Sequence, residues 1–553
     1  MWVVTAMFAA SGFSQVNRQV IQASSTIELA KKSNRYTIER VDKASRGNIV
    51  SADNQVLAQT VDRFELRVDL RKIPHTPGFY TEFSDAAGVS AAELASAVVA
   101  GKKSIYWGES IRSDAAERIQ DVKTKWRADG ISLARTTSRV YPLGYSVASI
   151  LGNLQGNDPN GGLEKSQNEL LSGRDGKRIG LVDRTGAFLP MRMDRDSIER
   201  EDGENLQLTI HSVLQARASE YLKAAVESNG ATSGVAIVLQ PQSGDILAMA
   251  NWPAPDPSGG RPILGFNQNY SSVYEPGSTF KILTLAKALQ TGNATLDEHF
   301  HCDGEMHWGP GYRVRCDLHH GTRAHGDVDA EMVIAKSCNV VSATWARRMK
   351  YTEVAKYLKD LGLLSKSELG TTNEVAGQFN EKEYAKDLQI ANVGFGQSIS
   401  CTPLGLASAF SMLGNGGVRM KPRLVKSVGI QEAPKKAMGQ IIDQKVADEV
   451  LHIMESVIET KEGTGKTLRI PGYRLAGKTG TAQKLGGGAK GYVSSFIGFV
   501  PAKNPQACIL VMVDNPTRGK IYGAAVAGPV FRSLAEEVIE QFQIPPTEYS
   551  AGR

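Results

Sequence analysis

Two groups of apolar, strand-like segments stand at opposite ends of the second half of this chain, and their separation limits the fold more than any other feature. The segments lie at 234–239, 245–250, 474–483, 494–500 and 507–513. The first two form a hairpin around the turn residues at 241–244, and the last three form a meander. Because such strands are stable only when paired, one five-stranded antiparallel sheet is predicted. Residues 251–473 then form a large helical insertion, and terminal helices cover one face of the sheet.

The region before this sheet predicts a separate, irregular α+β module at 46–205, and the sheet with its insertion forms a second domain at 206–545. Residues 64–70 alternate as a strand does, and residues 91–100 have the pattern of a short helix. The module contains no clustered acids, no metal-ligand spacing and no nucleophile beside a base. A structural role, as a pedestal, is therefore predicted for it.

The two ends of the chain predict three further segments. Residues 1–13 are an apolar stub, residues 14–45 a polar stalk with loosely helical spacing, and residues 546–553 a tail. The stub is shorter than the about 20 residues that a membrane span needs, and it lacks the positive start of a signal peptide. Two interpretations remain open: a buried or fraying terminal segment, or the remnant of a signal anchor whose beginning is missing.

The charge balance argues against nucleic acid as a partner. Lys and Arg number 64 and Asp and Glu 58, a net charge of +6 spread over 553 residues without a run of five or six like charges. Such a thin excess is typical of a solvated, mildly basic surface.

Five cysteines are scattered through the second half and include no CxxC pair, so neither a zinc ribbon nor a redox motif is supported. Cys302 and Cys316 frame one short segment and can form a disulfide in an oxidising compartment, whereas the others are predicted to be small core residues. The others are Cys338, Cys401 and Cys508. A group of nearby side chains fits no known ligand spacing, so no metal site and no cofactor are predicted. This group is His301, Asp303, His319, His320 and His325.

The strongest chemical signal is Ser278 at the start of an apolar helix, three residues before Lys281. Residues three apart share one helix face. A serine hydroxyl needs an adjacent base to act as a nucleophile, and a lysine can be that base when burial or another cation lowers its pKa. The helix N-terminus also directs backbone N–H groups toward developing negative charge. Alone, this pair is more typical of a helix cap beside a surface lysine.

Two further motifs follow in the chain, and each is weak alone. Ser337 and Asn339 are separated by one residue after a predicted helix, where they are also ordinary turn residues. Lys478 opens Lys-Thr-Gly-Thr inside a strand candidate, where Gly480 allows close backbone approach by a ligand. The segment at 462–467 resembles a phosphate-binding loop, but it has Thr at position 460 and follows a helical pattern, so that function is rejected.

Taken together and in this order, the three motifs match the active-site set of penicillin-binding proteins and the related β-lactamases. The chain resembles class B penicillin-binding proteins over nearly its whole length. Within this class it resembles the division-type branch more than the others. The resemblance also rests on Arg46–Ile49, Arg139–Pro142, Gly152-Asn153, Gly161–Lys165, Leu171–Gly173, Thr402–Leu404, Asn415–Gly417, and Gly523 with Pro529. It implies an α+β fold: a penicillin-binding-protein/β-lactamase-like transpeptidase domain on a dimerisation-type pedestal.

The resemblance implies a D,D-transpeptidase that cross-links peptidoglycan stem peptides and is acylated by β-lactams. Ser278 is the expected nucleophile, Lys281 its base, and Ser337 the proton relay to the leaving amine. Asn339 is expected to position Lys281 and the substrate amide. Lys478 is expected to keep Lys281 neutral and attract the substrate carboxylate.

Around the reacting carbonyl, the resemblance implies that Thr479 and Thr481 donate to the substrate carboxylate. The backbone N–H groups of Ser278 and Thr481 form the expected oxyanion hole, with Gly480 between the two threonines. No cofactor or metal is implied.

The resemblance further implies a single-pass anchor in the cytoplasmic membrane, truncated here by a misplaced start, with the catalytic domain periplasmic or extracellular. Expected partners are peptidoglycan stem peptides and lipid-linked precursor strands, a membrane glycosyltransferase and divisome proteins. A β-lactamase would need a deacylating base, which is not identified. A D,D-carboxypeptidase, a β-lactam sensor and a non-catalytic scaffold for a membrane glycosyltransferase stay open as alternatives.

Overall fold

A computed structural model describes residues 37–182, 188–193, 197–253, 266–307, 313–317, 323–379, 386–484 and 491–547. The predicted stub at 1–13, most of the stalk and nearly all of the tail lie outside these residues. Within the described part of the chain, no helix combines the length and the hydrophobicity needed to cross a membrane.

The chain up to residue 208 consists of short strands and helices. The strands are β1 (Thr37–Asp42), β2 (Ile49–Val50), β3 (Val56–Asp69), β4 (Ser104–Arg112), β5 (Ile131–Val140), β6 (Asn153–Gln155), β7 (Asp158–Asn160), β8 (Gly176–Val182), β9 (Phe188–Met193) and β10 (Leu206–Leu208). The helices are α1 (Pro77–Ala87), α2 (Ala91–Val99), α3 (Ser113–Trp126), α4 (Tyr145–Leu151), α5 (Gly162–Ser166) and α6 (Asn168–Ser172), with a 3₁₀ turn at Leu70–Lys72.

The long strand β3 organises this region, because it pairs with both β4 and β5. Helices α1 and α3 cover the sheet, and Phe79 stacks on Phe83 with ring centroids 5.7 Å apart. Helix α1 begins where Thr76 accepts a hydrogen bond from the Phe79 amide and Pro77 occupies the first turn, a favoured arrangement for a helix start. This pattern confirms the predicted mixture of strands and helices.

The chain after residue 208 carries the predicted sheet and its insertion. The strands are β11 (Ser233–Leu239), β12 (Ile246–Trp252), β13 (Phe300–Cys302), β14 (Glu305–His307), β15 (Arg313–Arg315), β16 (Gly326–Val328), β17 (Gln378–Phe379), β18 (Ile399–Ser400), β19 (Val418–Met420), β20 (Val425–Val428), β21 (Gln431–Glu432), β22 (Ala437–Gln440), β23 (Ala476–Gln483), β24 (Tyr492–Val500) and β25 (Ala507–Asp514). The helices are α7 (Ser212–Ser228), α8 (Gln268–Ser271), α9 (Lys281–Gln290), α10 (Ala330–Ala335), α11 (Asn339–Arg347), α12 (Tyr351–Asp360), α13 (Lys386–Val393), α14 (Pro403–Ser411), α15 (Gln444–Glu459), α16 (Gly523–Val526) and α17 (Gly528–Gln541), with 3₁₀ turns at Gly277–Phe280, Met412–Asn415 and Lys466–Leu468.

The five predicted strands form one antiparallel sheet in the order β12-β11-β25-β24-β23. Its strands are buried nearly throughout, which explains their apolar composition on both faces. Helices α7 and α17 pack on one face through a continuous apolar core that includes Leu222, Phe496 and Phe531. The sheet with its insertion between β12 and β23 is the predicted architecture. Strand β23 is the last in this order, so one of its edges pairs with no other strand of this sheet.

A second sheet crosses the predicted domain boundary at 205/206. It has the order β21-β20-β10-β2-β3-β4, with β5 on β3, and β10 pairs in parallel with β2 and antiparallel with β20. Leu206 and Leu208 are completely buried in it. By compactness, residues 48–168 and 205–547 form one unit, and residues 37–47 and 169–204 form another. The predicted boundary thus falls inside a hydrogen-bonded sheet of the first of these units.

Candidate active site

Ser278 lies in the 3₁₀ turn Gly277–Phe280, which continues directly into α9 at Lys281. Lys281 Nζ is 3.0 Å from Ser278 Oγ, so the three-residue spacing places the two side chains on one face as predicted. Ser278 is half-buried, whereas the Lys281 side chain has no exposed surface. The hydroxyl is therefore reachable while its proton acceptor is shielded from water.

The turn before Ser278 is held by a segment that the sequence analysis did not single out. The amide of Gly277 donates to the carbonyl of Gly396 at 3.0 Å, and the carboxylate of Glu275 accepts from the amide of Ser398 at 3.0 Å. A Cβ atom on Gly396 would lie 2.1 Å from the Gly277 carbonyl oxygen, so this contact requires a glycine. The local signal was Gly394-Phe395-Gly396, two glycines between helix and strand.

Ser337 completes the contacts of the buried amine. Lys281 Nζ lies 2.6 Å from the Ser337 carbonyl oxygen and 2.9 Å from Ser337 Oγ. Ser337 has φ 59°, in the left-handed region that a non-glycine residue rarely occupies. Such strain persists only where the surroundings hold it, and it is common at functional sites. One amine thus links the Ser278 and Ser337 hydroxyls.

Asn339 is the first residue of α11, and its amide nitrogen donates to the carbonyl of Arg315 at 2.7 Å. The side chain thereby ties the turn at 337–339 to the end of β15. Its expected contacts with Lys281 and with a substrate amide stay predictions.

Strand β23 brings the third motif to the same place. A Cβ atom on Gly480 would lie 2.9 Å from Thr279 Cγ2 and 2.3 Å from Ser495 Oγ, so the Ser278 turn packs directly on this strand. The space left by Gly480 is therefore filled by the protein's own side chains. Thr481 is half-buried, and its Oγ1 accepts from the amide of Gly523 at 3.2 Å.

Lys478 and Thr479, the first two residues of this motif, are more deeply buried than Thr481. Lys478 is completely buried, and its Nζ donates to the Thr479 carbonyl oxygen at 3.2 Å. Thr479 Oγ1 is 3.1 Å from Thr464 Oγ1. Thr464 belongs to the segment that resembled a phosphate-binding loop, which follows helix α15 and not a strand. Sequence reasoning did not identify Thr464 as a neighbour of the site.

Burial sets the electrostatics of the two lysines. Burial lowers the pKa of Lys281 to about 8, although the charge of Asp317 opposes this shift. Burial, followed by the positive charge of Lys281, lowers the pKa of Lys478 well below its usual value. Two amines in one low-dielectric site resist being charged together. With a pKa of about 8, a minor part of the Lys281 population is neutral near neutral pH and able to accept the Ser278 proton.

A cavity of about 350 Å³ adjoins the end of β23. It is lined by Val273, Tyr274, Glu275, Ser400, Ala482, Gln483, Lys484 and Val493. It therefore extends from the segment before Ser278 along the free end of β23, where an extended ligand has room.

The cysteines near the site are arranged differently from the expectation. Cys302 Sγ and Cys316 Sγ are 3.8 Å apart, well beyond the about 2.05 Å of a disulfide, and both are free thiols. Cys338, predicted as an ordinary core residue, lies with its sulfur 3.5 Å from that of Cys302. Cys401 and Cys508 are buried in apolar surroundings as predicted.

The nearby histidines divide between core and surface. His325 is buried, with Nδ1 3.5 Å from Cys302 Sγ. His301 lies on the exposed side, where its ring nitrogens contact Asp303 and Asp327. His319 and His320 lie outside the described residues.

Comparison with protein families identifies two matches. Residues 234–536 match the family described as "Penicillin binding protein transpeptidase domain". Residues 41–208 match the family described as "Penicillin-binding Protein dimerisation domain". The two matches together cover the sheet with its insertion and the region before it.

Individual proteins resemble the chain over most of its length. Stage V sporulation protein D of Bacillus subtilis (strain 168) is 31% identical over 456 residues, which cover 79% of this chain and 69% of that protein. Peptidoglycan D,D-transpeptidase FtsI of Escherichia coli (strain K12) is 29% identical over 530 residues, covering 92% and 85%. Among solved structures, penicillin binding protein 3 from Mycobacterium tuberculosis complexed with aztreonam superposes with a TM-score of 0.69 at 25% identity, covering 92% and 98%.

Proposed function

Because the chain belongs to the penicillin-binding protein transpeptidase family, we propose that it is a peptidoglycan D,D-transpeptidase that works through an acyl-enzyme on Ser278. The observation that carries the proposal is the pair of contacts from buried Lys281 to Ser278 Oγ at 3.0 Å and to Ser337 Oγ at 2.9 Å. This arrangement supplies a nucleophile, a base and a second hydroxyl at one buried amine.

In the acylation step, neutral Lys281 takes the proton of Ser278 as Oγ attacks the carbonyl carbon of the penultimate D-Ala of a stem peptide. The resulting oxyanion accepts hydrogen bonds from the backbone N–H groups of Ser278 and Thr481, a type of contact whose loss typically slows a reaction on the order of 100-fold. The C–N bond then breaks, and the proton passes from Lys281 through Ser337 Oγ to the departing D-Ala amine. The product is an ester on Ser278.

In the second step, an amine from a neighbouring strand attacks this ester, and the proton path runs in reverse. The amine loses its proton through Ser337 to Lys281, and Ser278 Oγ leaves with a proton from Lys281. Both steps use the same two contacts of Lys281, to Ser278 Oγ and to Ser337 Oγ. The same three side chains therefore serve acylation and transfer.

Substrate orientation is assigned to strand β23. Its outer edge is not used by the sheet, so an extended stem peptide can add to it through backbone hydrogen bonds. Lys478, Thr479 and Thr481 then face the terminal carboxylate, whose negative charge favours the protonated form of Lys478. Asn339 is assigned to the substrate amide. A β-lactam follows the same route, acylates Ser278 and is retained as an ester.

The biological setting is proposed from the same relationship. We assign the enzyme to septal wall synthesis, because relatives include proteins named FtsI. Its substrate lies outside the cytoplasmic membrane, so the catalytic domain is assigned to the outer side with a single-pass anchor. The transpeptidase domain is assigned to residues 206–545. The pedestal at 46–205 is assigned to contacts with a membrane glycosyltransferase and divisome proteins.

The test is covalent labelling with a fluorescent penicillin, followed by a denaturing gel and peptide mass analysis. The expected result is a stable adduct on the Ser278 peptide, absent in Ser278→Ala and unchanged in Ser272→Ala, a half-buried serine upstream on the same segment. Rapid turnover of the drug would indicate a β-lactamase, and no adduct on folded protein would indicate a non-catalytic scaffold.

Transfer is separated from hydrolysis with a D-Ala-D-Ala pentapeptide and an excess of a D-amino acid as acceptor. A transpeptidase yields the exchanged peptide, detected by mass. Release of D-Ala with only the hydrolysed tetrapeptide would assign the chain to D,D-carboxypeptidases instead.

A further inference from the structure

Three cysteines and a histidine meet in one buried cluster beside the candidate active site. The members are Cys302, Cys316, His325 and Cys338, all buried, and their donor atoms lie within 4.8 Å of one another. The three sulfur–sulfur distances are 3.5, 3.7 and 3.8 Å, and His325 Nδ1 is 3.5 Å from Cys302 Sγ. The catalytic proposal uses none of these side chains.

These four distances match four of the six edges of a tetrahedron around one metal ion, and the other two donor–donor distances are within 4.8 Å. With zinc–sulfur bonds of about 2.3 Å and a zinc–nitrogen bond of about 2.0 Å, tetrahedral geometry places sulfurs about 3.8 Å apart and a sulfur about 3.5 Å from the nitrogen. The spacing in the cluster agrees with these values. Three thiolates and one imidazole are a ligand set that selects zinc among common divalent ions.

The surrounding backbone needs such a cross-link. Strands β13, β14, β15 and β16 have three residues each and form two separate two-stranded ladders, an arrangement that is marginal without further support. Half of their side chains are exposed, and Val314 and Val328 are their buried aliphatic residues. The cluster joins these ladders to the start of α11, a task that a small structural metal performs in folds with little core.

Alternative explanations fit the cluster less well. A single disulfide would use two of the three sulfurs and leave a third thiol with His325 in the same apolar enclosure. Ordinary core cysteines do not require a histidine aimed at their sulfurs. A divalent metal with three thiolates carries a net negative charge, and positive side chains lie nearby to balance it. Arg323 donates to the Cys316 carbonyl, and Lys336 Nζ donates to the His325 carbonyl at 3.4 Å.

We propose that Cys302, Cys316, His325 and Cys338 bind one structural zinc ion that fixes the turn carrying Ser337 and Asn339. On binding, the three thiols release their protons to solvent and the imidazole binds as the neutral ring. Cys338 stands between the two active-site residues, and Asn339 donates to the carbonyl next to Cys316. The metal therefore holds the backbone that follows the strained Ser337, directly through Cys338 and indirectly through the contact of Asn339 with Arg315.

The first experiment measures the metal directly and does not depend on any enzymatic activity. The purified chain is analysed by native mass spectrometry and elemental analysis, and one zinc ion per chain is expected. Replacement by Co²⁺ should give the intense thiolate charge-transfer absorption of a tetrahedral site. Absence of metal in the presence of excess Zn²⁺, iron in its place, or a disulfide between any two of the three cysteines would overturn the proposal.

Variants separate the site from general core packing. Cys302→Ser and Cys316→Ser should lose zinc, whereas Cys508→Ser, a buried cysteine in the main sheet, should retain it. Because a variant can fail to fold, the wild-type chain is also treated with a chelator, and circular dichroism records whether the main fold persists. Zinc retained in both site variants would contradict the assignment.

The consequence for the active site is measured on the chelated wild type. Since misplacing a catalytic group by about 1 Å costs on the order of 100-fold in rate, acylation by a fluorescent penicillin is expected to slow by about 10- to 100-fold and to recover on adding Zn²⁺. An unchanged rate after verified zinc loss would overturn the positioning role. This arm rests on the proposed function, whereas the metal measurement does not, so the two can fail separately.

Discussion

At the scale of single residues, Lys281 decides how the site responds to pH. Its pKa is lowered to about 8 by burial, and in the proposed mechanism the neutral amine is the form that accepts the Ser278 proton. The rate of Ser278 acylation should therefore rise about tenfold per pH unit below that value and level off above it. The measurement is the second-order rate constant for penicillin acylation from about two pH units below to two above the pKa. Lys281→Arg, whose guanidinium stays charged, should lose at least about 100-fold and show no rise. A rate that falls as pH increases toward 8 would contradict the role.

The same scale shows what a sequence can reveal about a site. Ser278 and Lys281 were predictable because three residues along a helix bring two side chains together wherever the helix lies. Gly396 and Thr464 were not, because their contacts with Gly277 and Thr479 depend on how distant segments pack. The cluster around Cys302 is not evident from the sequence for a related reason, since its members lie in or next to separate short strands and at a helix start.

At the scale of elements, a buried ion pair joins β5 to α5. Arg139 Nε donates to Glu164 Oε1 at 2.8 Å, with the two side chains 2% and 0% exposed. Glu164→Gln leaves a buried guanidinium without its counter-charge, which typically costs about 3–5 kcal/mol in the free energy of unfolding. Chemical denaturation measures this loss. Asp62→Asn, in the exposed pair with Arg135, is the matched control and should cost less than about 1 kcal/mol. Equal effects from both variants would contradict the argument.

The two sheets also differ in how far the sequence predicts them. Strands β11, β24 and β25 are buried along nearly their whole length, so their apolar runs stand out from the chain. In the second sheet, β2, β10 and β20 have only two to four residues each and come from distant parts of the sequence. Strands this short carry too few residues for an alternating pattern, so the sequence gives no sign of the pairing that crosses the predicted boundary at 205/206.

At the scale of the whole molecule, that pairing places residues 48–168 and the transpeptidase sheet in one compact unit. Asp53, in the turn between β2 and β3, accepts from the amide of Ser212 at 2.9 Å and from its hydroxyl, and so caps helix α7. The residue before this helix, His211, provides no side-chain cap of its own. Helix α7 in turn packs on the five-stranded sheet. A substitution at Asp53 should therefore lower the stability of both the region around β2 and β3 and the five-stranded sheet.

Asp53→Ala should lower the free energy of unfolding by about 1–2 kcal/mol, the usual cost of losing a helix cap, within a single cooperative transition. Burial raises the pKa of Asp53, but the hydrogen bonds from Ser212 outweigh it and leave the pKa below the ordinary 3.8. The contribution is thus present above that value and fades as pH falls through the lowered pKa, so wild type and variant should converge in acid. Asp85→Ala, at an exposed position of α1, is the control and should change stability by less than about 0.5 kcal/mol. Two separate transitions, with Asp53→Ala shifting only one, would mean that the two regions fold independently despite their shared sheet.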